Sequence, residues 1–204
     1  MIDTATLTAT RKIALGDAQA PFVELTPDGG YAYVTVNSGI AKGDTTTDEI
    51  VTTIDGLGGT PLDLSITADG STLVTSNGKD ILTIDFADNS IPNTFTVYGN
   101  ASVVAPGIGS VAVTPDGRTV YAIASWFPSQ LIVLDTTTGI IEERFDIPGS
   151  AQPVAVSPDG NDAYVISQNN NVTIITKTPN HSLPPRHSDH PTSRTPDPRN
   201  AENI

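Results

Sequence analysis

The chain has 204 residues, of which 37% are hydrophobic, so it is long enough to bury one sizeable core. It contains no cysteine, which excludes disulfides, thiolate metal ligands and a cysteine nucleophile. Its formal net charge of −13 opposes contact with a phosphate backbone, so nucleic-acid partners are not expected, and no apolar run is long enough for a transmembrane segment.

One tetrapeptide recurs along the chain, as Thr-Pro-Asp-Gly or a close variant. It occupies residues 26–29, 67–70, 114–117 and 157–160, and its aspartates are 41, 47 and 43 residues apart. Proline presets the backbone of a type I turn, aspartate caps that turn, and glycine takes the conformation that closes it. The aspartates are therefore predicted to form turns rather than to catalyse. A period near 40 residues indicates stacked supersecondary units.

Short strands are predicted on both sides of each turn, because apolar residues alternate there with small or polar ones. Val111 and Val113 precede the third turn, and Tyr121 follows it. A third strand follows in each unit, clear at residues 81–85, 131–135 and 172–176 and weak at 40–44. Fourth strands are predicted at residues 49–55, 94–98 and 140–147.

Four antiparallel strands per unit predict an all-β fold, a β-propeller of four-stranded blades. About four blades are expected, within residues 1–176. Residues 9–16 match a fourth strand, so the chain begins out of phase. Either this strand pairs with the last blade and closes a small ring, or the chain is an open arc with two apolar faces. The missing cap at the start favours the arc, which could also self-associate.

Residues 131–139 and 153–165 resemble the units of YVTN-repeat β-propellers, which are relatives of lactonase-like propellers. Tyr-Val-Thr-Val-Asn at residues 33–37 is similar to the motif that names this family. The resemblance extends over residues 1–176 and implies an extracytoplasmic or cell-surface protein, usually with seven blades and in many members without enzymatic activity. This chain is short for seven blades and shows no signal peptide, so we expect a partial, truncated or frameshifted reading frame.

Binding residues are predicted in the loops between second and third strands, which lie opposite the Asp-Gly turns. Propellers recruit ligands through such loops near the channel mouth. Trp126 and Phe127 are adjacent in one loop, where they form either an apolar anchor for a protein or glycan partner or a patch folded over the blade edge. The other candidates are Lys79, Asp80, Asn169 and Asn170.

Signals for catalysis are poor. Residues 1–176 contain no histidine, so neither a Ser-His-Asp triad nor an imidazole metal site is expected there, and no cofactor is predicted. The leading hypothesis is a non-enzymatic binding or scaffold module. The alternative is a fragment of a lactonase-like hydrolase, which would need charged groups that converge on the central channel.

The composition changes at Lys177. Residues 177–204 contain six prolines, few apolar residues and all three histidines of the chain. Such a stretch cannot bury enough surface to order itself, so a disordered tail is predicted, either a linker or an out-of-frame read-through. Its histidines give only a weak indication of metal binding.

Overall fold

The computed structural model describes residues 2–3, 8–9, 11–15, 21–98, 107–125, 128–167 and 171–177. These residues form strands, turns and loops, with no helix among them, and hence no helix that could cross a membrane. The predicted tail begins at residue 177, and all of it except Lys177 lies outside the described residues.

Four antiparallel sheets, each built from strands consecutive in sequence, follow a short N-terminal hairpin. The hairpin consists of β1 (Ile2–Asp3) and β2 (Thr8–Ala9). Blade 1 contains β3 (Val23–Leu25), β4 (Tyr31–Val36), β5 (Gly39–Asp44) and β6 (Glu49–Ile54). Blade 2 contains β7 (Leu64–Ile66), β8 (Thr72–Ser76), β9 (Asp80–Asp85) and β10 (Asn93–Thr96). Blade 3 contains β11 (Gly107–Val113), β12 (Thr119–Ser125), β13 (Ser129–Asp135) and β14 (Ile141–Ile147). Blade 4 contains β15 (Ala151–Val156), β16 (Asp162–Ser167) and β17 (Asn171–Thr176). The predicted propeller blades are confirmed.

The repeated tetrapeptide forms the turn between the first and second strands of every blade, as predicted. In blade 1 the Gly29 amide donates to the Thr26 carbonyl over 2.8 Å. The Asp28 Oδ1 atom accepts from the Thr26 hydroxyl at 2.6 Å and from the Gly30 amide at 2.9 Å. These two hydrogen bonds, first that of Thr26, lower the pKa of Asp28. The same pattern recurs at Asp69, Asp116 and Asp159.

Adjacent blades meet at their first strands, so these strands lie nearest the propeller axis. The strand β7 contacts β3 on one side and β11 on the other, and β15 contacts β11 and β12. Apolar side chains fill each junction. Tyr33 and Leu73 are buried between blades 1 and 2, Val111 and Val120 between blades 2 and 3, and Tyr121 between blades 3 and 4.

The Asp-Gly turns of neighbouring blades also interlock. Gly160 has a φ of +75°, and a Cβ atom placed on it would lie 3.2 Å from the Pro115 Cδ atom of the preceding turn. Gly70 stands in the same relation to Pro27. Gly29, which belongs to the first blade, has no atom within 4 Å of such a Cβ among the described residues. The glycine of each turn thus fits under the turn before it.

The arc is open, and the small ring closed by the N-terminal strand is not formed by the described residues. The strand β2 pairs with β1 rather than with blade 4, whose sheet order is β15-β16-β17. Apolar side chains are exposed at both ends: Val23 is 61% exposed on blade 1, and Ile174 is 57% exposed on blade 4. Part of the blade 1 face is covered by residues 11–15, where Arg11 Nη2 donates to the Thr45 carbonyl over 2.8 Å.

The substitutions Gly160→Ala and Gly29→Ala separate two contributions to the free energy of unfolding. One is the strain of a positive φ, and the other is the contact between neighbouring turns. Both glycines have a positive φ, so each substitution should lower the free energy of unfolding by about 1–2 kcal/mol. Gly160→Ala should lose a further ~1 kcal/mol, because the new methyl group would lie 3.2 Å from the Pro115 Cδ atom and the ring would have to shift slightly. Urea unfolding measures the free energy of unfolding of both variants. An equal decrease in the two variants would contradict a contact between the turns at Gly160.

Candidate functional site

The propeller presents two faces with different chemistry. We call the face that carries the Asp-Gly turns the turn face. The opposite face, which we call the loop face, carries the loops between second and third strands and the connections between blades. The Asn77 Nδ2 atom in one loop donates to the Leu57 carbonyl of the connection between blades 1 and 2 over 2.7 Å. That hydrogen bond confirms that loops and connections share a face.

Lys79 lies in the loop between β8 and β9, which Asn77 holds in place, and Asp80 begins β9. The Asn77 Oδ1 atom accepts from the amides of Lys79 at 3.0 Å and of Asp80 at 2.7 Å. The Gly78 carbonyl accepts from the Ile108 amide of blade 3 at 2.8 Å. The Lys79 side chain is exposed, whereas the Asp80 Oδ1 atom is buried without a hydrogen-bond partner in the described part of the chain. The backbone of this loop is therefore held in place by hydrogen bonds.

The other four predicted binding residues, Trp126, Phe127, Asn169 and Asn170, lie outside the described residues. The strands on either side of them are described. Ser125 ends β12 and Ser129 begins β13, and Ser167 and Asn171 bound the corresponding loop of blade 4. These strand ends occupy the position that the Asn77 loop occupies in blade 2.

A shallow cleft of ≈ 300 Å³ opens on the loop face beside blade 1. Its lining includes Val36, Asn37, Thr60 and Pro61. The Thr35 hydroxyl also lies there, but it accepts from the Phe22 amide at 3.1 Å and therefore serves the fold. The cleft lies beside the Asn77 loop of blade 2 and enlarges the surface that a partner could contact.

Asp63, at the start of β7, has a structural role that sequence reasoning missed. Its Oδ2 atom accepts from the Ser110 hydroxyl at 2.8 Å and from the Val111 amide at 3.0 Å, and its Oδ1 atom from the Leu64 amide at 2.9 Å. The carboxylate thus links the inner strands of blades 2 and 3. The available signal was a departure from the repeat, because the corresponding residues of the other units are Phe22, Ser110 and Pro153.

Two serines continue this linkage, and with Asp63 they form what we call the inner belt: Asp63, Ser65 and Ser110. The Ser65 hydroxyl accepts from the Val113 amide at 3.0 Å, and the Ser110 hydroxyl accepts from the Val154 amide of blade 4 at 3.2 Å. The belt therefore satisfies backbone amides near the axis, where unpaired donors would be costly.

Glu24 on β3 is the second carboxylate near the axis. Burial and then the negative charge of Asp63 raise its pKa. Because Asp63 already accepts three hydrogen bonds, the two carboxylates do not form a free catalytic pair. The described residues also contain no group of three or more His, Asp or Glu side chains that could hold a metal ion.

Comparisons with known proteins bear on the fold. No protein-family model matches the chain, and no curated protein matches it. Among solved structures, hydrazine synthase of Kuenenia stuttgartiensis is similar with a TM-score of 0.73 and 23% identity over 87% of this chain. U3-55K is similar with a TM-score of 0.63 and 14% identity over 81% of this chain. Both contain β-propellers, so the propeller fold is supported. The chain spans 56% and 54% of these two chains.

Substitution of the two inner carboxylates should change stability in opposite directions. Asp63→Asn removes an acceptor from Ser110 and Val111, so it should lower the free energy of unfolding by about 1–3 kcal/mol. Glu24→Gln should raise it at pH 7, because the raised pKa means that ionised Glu24 destabilises the folded state.

The pH dependence provides the check for Glu24. The destabilisation grows as pH rises through and above the ordinary glutamate pKa of 4.5, so the benefit of Glu24→Gln should vanish below that pH. Denaturant unfolding at pH 4 and pH 7 measures this difference. A loss of stability on Glu24→Gln at pH 7 would show that the carboxylate has a partner.

Proposed function

We propose that this chain is a non-enzymatic binding and scaffold module of the YVTN-repeat type, which recognises a protein or glycan partner through its loop face. The observation that carries the proposal is the loop at Asn77, whose backbone is fixed by hydrogen bonds while the Lys79 side chain stays exposed. A fixed backbone with free polar side chains suits recognition, because little conformational entropy is lost on binding. We propose that Trp126, Phe127, Asn169 and Asn170, which occupy the equivalent positions of the repeat in sequence, take part in the same recognition.

The use of the acidic side chains supports a binding role over catalysis. The aspartates of the four turns accept hydrogen bonds from a neighbouring Thr or Ser hydroxyl, and Asp63 accepts from Ser110. A carboxylate committed to backbone and hydroxyl donors is not free to act as a general base. The strongly acidic composition also makes a nucleic-acid partner unfavourable.

Substitutions on the loop face should weaken partner binding without unfolding the protein. A glycan array and biolayer interferometry against the partner it identifies provide the measurement. The double change Trp126→Ala and Phe127→Ala should reduce affinity roughly 30-fold, as expected for loss of an anchor worth about 2 kcal/mol. Lys79→Ala should reduce it less, with an unchanged melting temperature.

Arg118→Ala is the matched control, since Arg118 is an exposed cation on the turn face. It should leave the affinity unchanged. If the Trp126 and Phe127 change lowers the melting temperature sharply and leaves binding intact, those residues pack over the blade and the proposed anchor is wrong.

One observation favours the hydrolase alternative: Glu24 is a carboxyl group near the axis with a raised pKa. A group of that kind is a candidate general acid or base. Lactone hydrolysis assayed with and without divalent cations, in the original chain and in Glu24→Gln, separates the two functions. Turnover that depends on Glu24 would favour the hydrolase, and no turnover in either protein supports the binding module.

We also propose an extracytoplasmic or cell-surface location, on the resemblance to YVTN-repeat propellers, and self-association through the ends of the arc. The apolar side chains of Ile166, Val172 and Ile174 on blade 4 lie side by side and are 49%, 58% and 57% exposed. In the interior of the arc the corresponding faces are buried against the next blade. A second copy would cover this end by the same packing.

Charge placed on the blade 4 end should abolish such association. Ile174→Lys should shift a concentration-dependent oligomer to monomer in size-exclusion chromatography with light scattering. Ile140→Lys is the matched control, because Ile140 is 61% exposed but lies between β13 and β14, away from the end face. A monomer at every concentration in the original chain would remove the proposal.

A further inference from the structure

A cleft of ≈ 270 Å³ opens between blades 1 and 2 on the turn face, away from the predicted recognition loops. Its wall combines three aromatic rings, one ammonium group and two carboxylates. The residues that contribute them are Tyr31, Tyr33, Phe86, Lys42, Asp28 and Asp69.

Three of these residues depart from the repeat, and all three departures meet in this cleft. Lys42 lies opposite Tyr33 in the register of β4 and β5. The residues at the register position of Lys42 in the other blades are Thr83, Val133 and Ile174. Those at the position of Tyr31 are Thr72, Thr119 and Asp162, and those at the position of Phe86 are Thr45, Thr136 and Lys177. Blade packing therefore does not require a cation or these two rings.

The rings and the ammonium group lie in contact. The rings of Tyr33 and Phe86 stack with centroids 4.4 Å apart and planes inclined by 3°. The Lys42 Nζ atom lies 4.3 Å from the Tyr31 ring centroid and 5.6 Å from that of Tyr33. The Lys42 ammonium group has neither a hydrogen bond nor an ion pair with any residue that the structure describes. Its three N–H donors are available.

Tyr33 adds another donor without an acceptor. Its side chain is fully buried, and its hydroxyl has no hydrogen-bond partner among the described residues. Burial, and then the nearby Tyr31, raise the pKa of Tyr33 to about 12, so the hydroxyl keeps its proton at neutral pH. A buried hydroxyl without a partner is unfavourable, and a ligand oxygen at the inner end of the cleft would relieve that cost.

The rim supplies acceptors. The Asp28 Oδ1 atom accepts the hydrogen bonds of its turn, whereas the Oδ2 atom accepts none from the described residues. The Asp69 Oδ2 atom accepts one, from the Ser71 hydroxyl at 3.0 Å. Each oxygen has room for a further donor, since a carboxylate oxygen can accept two hydrogen bonds.

We propose that this cleft binds a neutral sugar residue, either free or at the end of a glycan. Sugar hydroxyls both accept and donate, so they match the donors Lys42 and Tyr33 as well as the acceptors Asp28 and Asp69. The half-exposed rings of Tyr31 and Phe86 offer apolar surface to the C–H groups of the sugar. The cleft is smaller than the roughly 300–1,000 Å³ typical of sites for drug-sized ligands, which suits one ring.

The charges of the cleft select against ionic ligands. An anion would meet Asp28 and Asp69 at the rim, and a cation would meet Lys42 against the rings. A neutral polyol avoids both repulsions and still uses every polar group. This site does not depend on the proposed function, because it lies on the opposite face and uses none of the same residues.

Saturation-transfer NMR on the whole chain with methyl glucoside, methyl galactoside and glucuronate tests the site. A neutral glycoside should bind. In amide correlation spectra of the protein, the chemical shifts of the Tyr31, Lys42 and Gly70 amides should then change. Lys42→Met and Tyr33→Phe should each weaken binding roughly 2- to 10-fold, which corresponds to one hydrogen bond. Tyr33→Phe should leave the melting temperature of the free protein unchanged or higher, because it removes an unpartnered buried hydroxyl.

Matched controls come from the repeat and from the other face. Tyr121→Phe alters the equivalent tyrosine of blade 3, and Arg118→Met alters an exposed cation of the turn face in blade 3, so neither should change sugar binding. No saturation transfer from any neutral glycoside at tens of millimolar would overturn the proposal. So would tighter binding of glucuronate than of the neutral sugars, or loss of binding in Arg118→Met rather than Lys42→Met.

Discussion

Apolar contact between the faces of neighbouring blades is the constraint on which this structure depends. Each sheet completes its strand pairing within its own blade, so one blade holds the next mainly through side chains. Three buried clusters fill the three junctions. Near-continuous burial along the strands of an inner blade follows directly, as in β12, because such a blade must bury both faces of its sheet. The glycines of later turns fit the same packing, since a Cβ atom on Gly70 or Gly160 would lie 3.2 Å from the proline of the turn before.

The same constraint is not met at the ends of the arc. Val23 and Leu25 at one end and Val172 and Ile174 at the other present to solvent the kind of side chain that is buried inside. The turn of blade 1 shows the absence of a preceding blade. A Cβ atom placed on Gly29 would meet open space, whereas one on Gly70 or Gly160 would lie against a proline. The hydrogen-bonded belt of Asp63, Ser65 and Ser110 is likewise confined to blades 2–4. Blade 1 is therefore joined to the arc by aromatic and aliphatic packing, and this junction contains the turn-face cleft.

The fold could be predicted from the sequence because its determinants are local and repeated. The Asp-Gly turns need only four adjacent residues, and all four were recognised. The weak third strand of blade 1 also forms, and Gly43 within it accommodates the Ile13 side chain of the N-terminal segment. The role of Asp63 could not be predicted, because its partners Ser110 and Val111 lie 47 and 48 residues away and only the blade register brings them together. The cleft was missed for the same reason: Lys42 and Phe86 come from different blades.

A residue that departs from the repeat indicates function where the fold does not already provide hydrogen-bond partners for its polar groups. Asp63 departs from the repeat, yet its carboxylate already accepts three hydrogen bonds from the fold, which explains its presence without a ligand. Lys42 departs too, but its ammonium group lies over the Tyr31 ring with no hydrogen bond or ion pair to a described residue, and the nearby Tyr33 hydroxyl has no hydrogen-bond partner among those residues. Lys177 at the junction of blades 3 and 4 makes the contrast clear, since its ammonium donates to the Thr119 hydroxyl over 3.0 Å. Equivalent junctions of one repeat thus differ in whether the protein itself satisfies the polar groups. Where it does not, a ligand is the simplest source of the missing acceptors.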